Sequence, residues 1–215
     1  MPEFQQEPLL ALDYLGIAVF AVSGALVAAQ KQQNFLTFAF FAAATGVGGG
    51  TLRDLLIGAP VFWVNQNLSL LVCLFAALGV WFLARAPAVP KALLWFDGVG
   101  LAAYAVYGTD KALQHGIAPV PAATMGIMTA CAGGIIRDVL AQHPSILLRP
   151  EVYVSAAAAS AVLYTALAHT AVPTVAAAAL AGLAGFALRG AAIATGLGLP
   201  SFGERRGGKG RTGEA

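Results

Sequence analysis

Residues 13–60 align without a gap on residues 97–144 at a constant offset of 84, and this internal echo constrains the fold more than anything else in the chain. Asp13 falls on Asp97, Gly16 on Gly100, Gly24 on Gly108, Thr45 on Thr129, Gly49 and Gly50 on Gly133 and Gly134, Arg53 and Asp54 on Arg137 and Asp138, and Pro60 on Pro144. With 16 of 48 positions identical and the glycines, arginines and aspartates all in phase, the chain reads as two copies of one unit.

The solvent of that unit follows from composition. A chain of 215 residues with 59% hydrophobic and only 10% charged residues cannot hide its apolar surface in a soluble core. Seven apolar stretches, at 9–29, 35–57, 67–85, 92–114, 118–141, 151–168 and 173–195, have about the length of roughly 20 residues that a membrane-crossing helix needs. The reading is an all-α membrane protein: repeat one over 9–85, repeat two over 92–168 and a seventh helix over 173–195, within one transmembrane domain over 1–200. Residues 201–215 read as a disordered basic cytoplasmic tail that can meet anionic lipid. Glu3 and Glu7 with no basic cluster do not make a secretory signal, so the first helix is expected to be retained. Cys73 and Cys131 lie inside apolar spans without partners at metal-ligand spacing and read as packing residues.

Lys31, Arg85, Lys91, Arg149, Arg189 and the tail residues Arg205, Arg206, Lys209 and Arg211 fall at alternate loops, which places the N-terminus outside and the C-terminus in the cytoplasm of an inner-membrane protein. An offset holding three crossings reverses direction in the membrane. The copies are therefore expected to be inverted repeats, an arrangement common in transport proteins.

The second and fifth helices carry the most unusual sequence, TGVGGGTLRD at 45–54 and TACAGGIIRD at 129–138. Gly48, Gly49 and Gly50, with Gly133 and Gly134, sit near the bilayer midplane, where glycines invite a kink or break, and exposed backbone is tolerated there only in protein or beside a watery cavity. Close helix packing is the other reading, because Gly46 and Gly50 also satisfy a GxxxG pattern. Neither a dinucleotide-binding loop nor a P-loop fits the spacing. Thr45, Thr51 and Thr129 can offer hydroxyls to an ion or bond their own backbone.

At 1.5 Å per residue, Arg53 lies about 10 Å to the outer side of its helix centre and Arg137 about 11 Å to the inner side, and Asp13 and Asp97 match them in depth. An arginine at depth needs a partner. The expected pairs are Asp13–Arg53 and Asp97–Arg137, which either lock helices together or line a pathway. Asp54 and Asp138 are expected to point elsewhere, since i and i+1 do not share a helix face. Asp110 and Lys111 correspond to Leu26 and Val27 in the first copy, so only the second copy carries these charges. Lys111 either snorkels to the interface or, with Asp110, belongs to a gate.

Two three-helix units plus a seventh helix, with DYLGIAVFAVSGAL, TGVGGGTLRDLLIGAPVFW, FDGVGLAAYAVYGTDKAL and AGGIIRDVL, resemble the trimeric intracellular cation (TRIC) channel family in its prokaryotic form over roughly residues 10–195. The resemblance implies a homotrimer with a potassium-permeable pore in each protomer, beside kinks at Gly48–Gly50 and Gly133–Gly134. It also implies a gating role for a basic residue on the fourth helix, for which Lys111 is the nearest match. The Lys-Glu-Val motif of the animal members is absent, Lys111 being followed by Ala112 and Leu113. No cofactor is expected beyond permeant potassium or sodium ions and bound membrane lipid, and no metal site or nucleic-acid partner is suggested. No nucleophile–base set supports an enzyme, and His115, His143 and His169 are isolated and expected near interfaces. A monovalent-cation channel is the first reading, a secondary transporter of a small solute such as an amino acid the alternative, and a purely structural membrane protein the third.

Overall fold

A computed structural model describes residues 7–84, 89–148 and 151–199. Arg85, Arg149 and the 201–215 tail, which bear on orientation, lie outside the described residues. Among the described residues seven α-helices follow one another: α1 (Glu7–Gln30), α2 (Phe35–Leu56), α3 (Asn67–Leu83), α4 (Val89–Gln114), α5 (Pro119–Leu140), α6 (Val154–Ala168) and α7 (Thr174–Thr195), with a 3-10 turn at Ile146–Leu148 before α6. Local signals set the ends. Asn34 caps α2 by accepting the Thr37 N–H at 3.0 Å, and Pro119 opens α5 where its missing N–H costs nothing. Gly196 closes α7 at φ +70, a left-handed conformation that glycine adopts without a Cβ penalty.

Five of the helices are long and apolar enough to cross a bilayer; α3 and α6, with 17 and 15 residues, are shorter. At 1.5 Å per residue, α6 covers about 22 Å of a hydrocarbon core of roughly 30 Å. The polarity of a soluble protein is reversed. Leu36, Phe75, Phe82, Leu83 and Val120 face outward, whereas Asp13, Arg53, Asp54, Asp97, Arg137, Asp138 and Arg189 are buried. Only a lipid exterior makes that distribution favourable, because ionisable groups in hydrocarbon turn toward the bundle interior.

The two copies meet through α1 against α4 and α2 against α5. Several of their contacts come in pairs related by the 84-residue offset. Phe20 and its counterpart Tyr104 stack on one another with ring centroids 5.4 Å apart. Gly16 packs under the Tyr104 ring and Gly100 under the Phe20 ring. Gly49 of α2 lies against the Thr129 carbonyl of α5, while Gly133 of α5 lies against the Thr45 carbonyl of α2. The α7 helix packs outside this pseudosymmetric core, on α4 and α6.

The expected break at the glycine motifs is not found, since α2 and α5 are each continuous helix through them. The reason is the crossing itself. Glycine lets the backbones of α2 and α5 touch, and packing of this kind supports helix association where lipid supplies no hydrophobic drive.

Candidate functional site

Each copy builds a charged cluster where its arginine–aspartate motif leaves the helix. Arg137 is bonded on three sides: Nε donates to Asp138 Oδ1 at 2.9 Å, while Nη1 meets Asp97 Oδ1 and donates to Ser23 Oγ, each at 2.5 Å. Asp138 Oδ2 accepts the Ile146 N–H at 2.9 Å, tying the loop back to the helix. The expected Asp97–Arg137 pair is therefore present, and it also joins α4 and α5 to α1.

The first copy repeats half of this plan. Arg53 Nε donates to Asp54 Oδ1 at 2.9 Å, and Asp54 Oδ2 accepts the Phe62 N–H at 3.0 Å, eight residues on, as in the second copy. The expectation that Asp54 and Asp138 point away from their neighbouring arginines is corrected in both copies. Adjacent residues do not share a helix face, but a guanidinium on a three-carbon stem reaches round to the next carboxylate. Asp13 does not form the expected ion pair with Arg53. Its buried Oδ1 has no hydrogen-bond partner, and the Tyr107 hydroxyl faces its carboxyl group. The Tyr107 ring instead lies under the Arg53 guanidinium, 5.1 Å from centroid to Cζ. Tyr107 stands 84 residues from Ser23, so the equivalent positions supply each arginine with its partner from the other copy.

Lys111 completes the first cluster. Its Nζ is 2.9 Å from Asp54 Oδ1 and 5.8 Å from the Phe62 ring centre, so the side chain turns inward to α2 and does not snorkel. Asp110 diverges from it toward α6, where Tyr164 donates to Oδ1 at 2.5 Å and Gln114 to Oδ2 at 2.6 Å. The two charges unique to the second copy thus hold the end of α4 between α2 and α6.

Between the clusters lies the α2–α5 crossing. Gly48 faces Ile136, Gly50 the Phe62 ring and Gly134 the Tyr153 hydroxyl, and Tyr104 donates to the Gly46 carbonyl at 3.0 Å. Thr51 donates to the Val47 carbonyl at 2.7 Å and Thr129 to the Met125 carbonyl at 2.6 Å. Thr45 differs: its buried hydroxyl has no hydrogen-bond partner. His115 and His169 donate through Nδ1 to the carbonyls four residues before them and lie exposed near helix ends.

Sequence reasoning missed Arg189, read only as a charge at the end of the seventh helix. It is buried, donates to Glu151 Oε2 at 2.8 Å and stacks over Tyr153 at 5.3 Å. Its place four turns into a long apolar helix was the available signal. Tyr164, the partner of Asp110, was missed as well, because an isolated tyrosine in an alanine-rich helix carries no pattern.

These features define a polytopic helical membrane protein made of a duplicated unit that buries charge at both ends. A family model described as "Glycine transporter" matches the chain twice, at residues 10–85 and 94–169, again 84 residues apart. The chain belongs to the family so described, which includes the prokaryotic TRIC channels. It is 36% identical to the UPF0126 inner membrane protein YadS of Escherichia coli K12, over 89% of this chain and 94% of that one. It is also 36% identical to a UPF0126 membrane protein of Vibrio cholerae, over 90% and 82% of the two chains. Among solved structures, the TRIC trimeric intracellular cation channel orthologue from Rhodobacter sphaeroides superposes with a TM-score of 0.85 at 40% identity, covering 89% of this chain and all of that one. That relative is a channel and not an enzyme.

Proposed function

We propose that the chain is a monovalent-cation channel permeable to potassium, with one pore in each protomer of a homotrimer in the inner membrane. In this reading residues 1–200 form one transmembrane domain, the copies are inverted, the N-terminus is outside, and the tail is cytoplasmic. The pathway runs beside the α2–α5 crossing. The observation that carries it is that Thr45 Oγ1 at the crossing and Asp13 Oδ1 at the outer end are among the buried oxygens left without a hydrogen-bond partner in an apolar bundle. Such groups are costly unless water or an ion meets them. Weak oxygen ligands and paired charges suit fast permeation, because tight binding would slow exit. The trimer and the cation rest on the likeness to the Rhodobacter sphaeroides channel.

Lys111 is the latch in this account, with Asp110 as the anchor that holds α4 to α6. Replacing Lys111 with glutamine removes a cation from the pathway and frees Asp54 to keep Arg53 alone. Potassium efflux from proteoliposomes is expected to rise severalfold, and an unchanged or lower flux would remove Lys111 from the gate. The alternative, a secondary transporter of a small solute such as an amino acid, is echoed only in the family description, while the solved relatives are cation channels. Saturable glycine counterflow in the same vesicles, without potassium efflux, is the outcome that selects it.

A further inference from the structure

At the end of the bundle where α4 and α6 finish and α5 and α7 begin, an open cavity of ≈ 550 Å³ is lined by Asp110, Gln114, Tyr164, His169 and apolar residues including Leu113 and Val172. The volume is that of a small-molecule site, within the range of roughly 300–1,000 Å³ that such pockets occupy. Asp110 is 7% exposed. A buried carboxylate is ordinarily neutralised by a cation. Among the described residues none lies within ion-pair distance of Asp110, because the neighbouring Lys111 is committed to Asp54. Its two hydrogen bonds come from neutral groups, the Tyr164 hydroxyl and the Gln114 amide.

The rest of the lining presents acceptors. Gln114 spends its amino group on Asp110, which leaves its carbonyl oxygen free to accept. His169 Nδ1 is 2.8 Å from the Thr165 carbonyl, which only accepts, so Nδ1 carries a proton and, in that tautomer, Nε2 is the acceptor of the ring. A buried carboxyl group beside further acceptors and apolar walls on α4 and the α6–α7 connection matches one ligand class: a small primary ammonium ion with a short hydrocarbon tail. We propose that this cavity binds such an ion, its N–H groups donating to Asp110, the Gln114 carbonyl and His169, and its tail lying against Leu113 and Val172. The site is separate from the α2–α5 crossing and does not depend on the channel reading.

The probe is n-propylammonium chloride, titrated calorimetrically into the purified full-length protein at constant ionic strength with sodium chloride exchanged for it. Saturable binding is expected in the wild type. Loss of the charged hydrogen-bond acceptor in Asp110→Asn should weaken it at least about tenfold. Should Asp110→Asn fail to fold, Ala168→Trp decides, since it fills the cavity from an exposed position and is expected to abolish binding without touching Asp110. Glycine, whose own carboxylate would face Asp110, is expected to bind more weakly than propylammonium. Absence of saturable binding in the wild type, unchanged binding in either variant, or tighter binding of glycine overturns the assignment, whereas the channel reading is tested separately by potassium flux through the wild-type protein.

Discussion

Replacing Arg137 with methionine is expected to destabilise the protein by about 3–5 kcal/mol, the cost of leaving buried charge without its partner. Arg137 is the cation for both Asp97 and Asp138, and it also holds Ser23 of the other copy. Without it Asp138 keeps the Ile146 N–H and Asp97 keeps no cation. The same replacement at Arg53 is expected to cost less, although it sits at the equivalent position, because Asp54 retains Lys111 at 2.9 Å. Thermal unfolding in detergent, followed by the fraction of monodisperse protein after heating, ranks the two variants. Equal losses would show that Lys111 does not compensate the first cluster. In the double variant Arg53→Met with Lys111→Gln, the loss should approach that of Arg137→Met.

The second large effect belongs to the crossing. A methyl group at Gly49 would fall on the Thr129 carbonyl, which is backbone and cannot swing aside. Overpacking of this kind costs about 1–3 kcal/mol. Gly49→Ala is therefore expected to lower the unfolding temperature and, with the pathway proposed to run beside the α2–α5 crossing, to suppress potassium flux. Gly133→Ala should behave alike, meeting the Thr45 carbonyl. Gly79→Ala supplies the control: no atom lies within 4 Å of the added carbon, and a mid-helix alanine is favoured over glycine by up to about 1 kcal/mol. A wild-type melting profile in both Gly49→Ala and Gly133→Ala would contradict the close crossing.

The helices were legible because composition and length report them directly, whereas the packing of α1 on α4 and α2 on α5 was not read from the 84-residue echo. The Asp97–Arg137 contact was legible from depth alone, as two groups at one level on neighbouring helices. Depth failed for Asp13 and Arg53 because it ignores what a third helix inserts, here Tyr107 from α4. The bonds from Arg53 to Asp54 and from Arg137 to Asp138 were hidden by a face argument that holds for Cβ directions and not for the reach of a guanidinium. The unbroken course of α2 was hidden for a different reason. Three glycines lower the cost of bending a helix and of packing it closely, and only the position of α5 decides which use is made of them. Arg189–Glu151 lay largely beyond reach because α7 has no counterpart in the repeat, and Tyr164–Asp110 because Asp110 has no charged counterpart in the first copy.

Conduction is read directly by recording from the purified protein in a planar bilayer under a potassium chloride gradient. Discrete current steps that reverse near the potassium equilibrium potential, lost in Gly49→Ala, are expected. Quiet bilayers from protein that exchanges glycine saturably, or steps that reverse near the chloride potential, would contradict the channel reading.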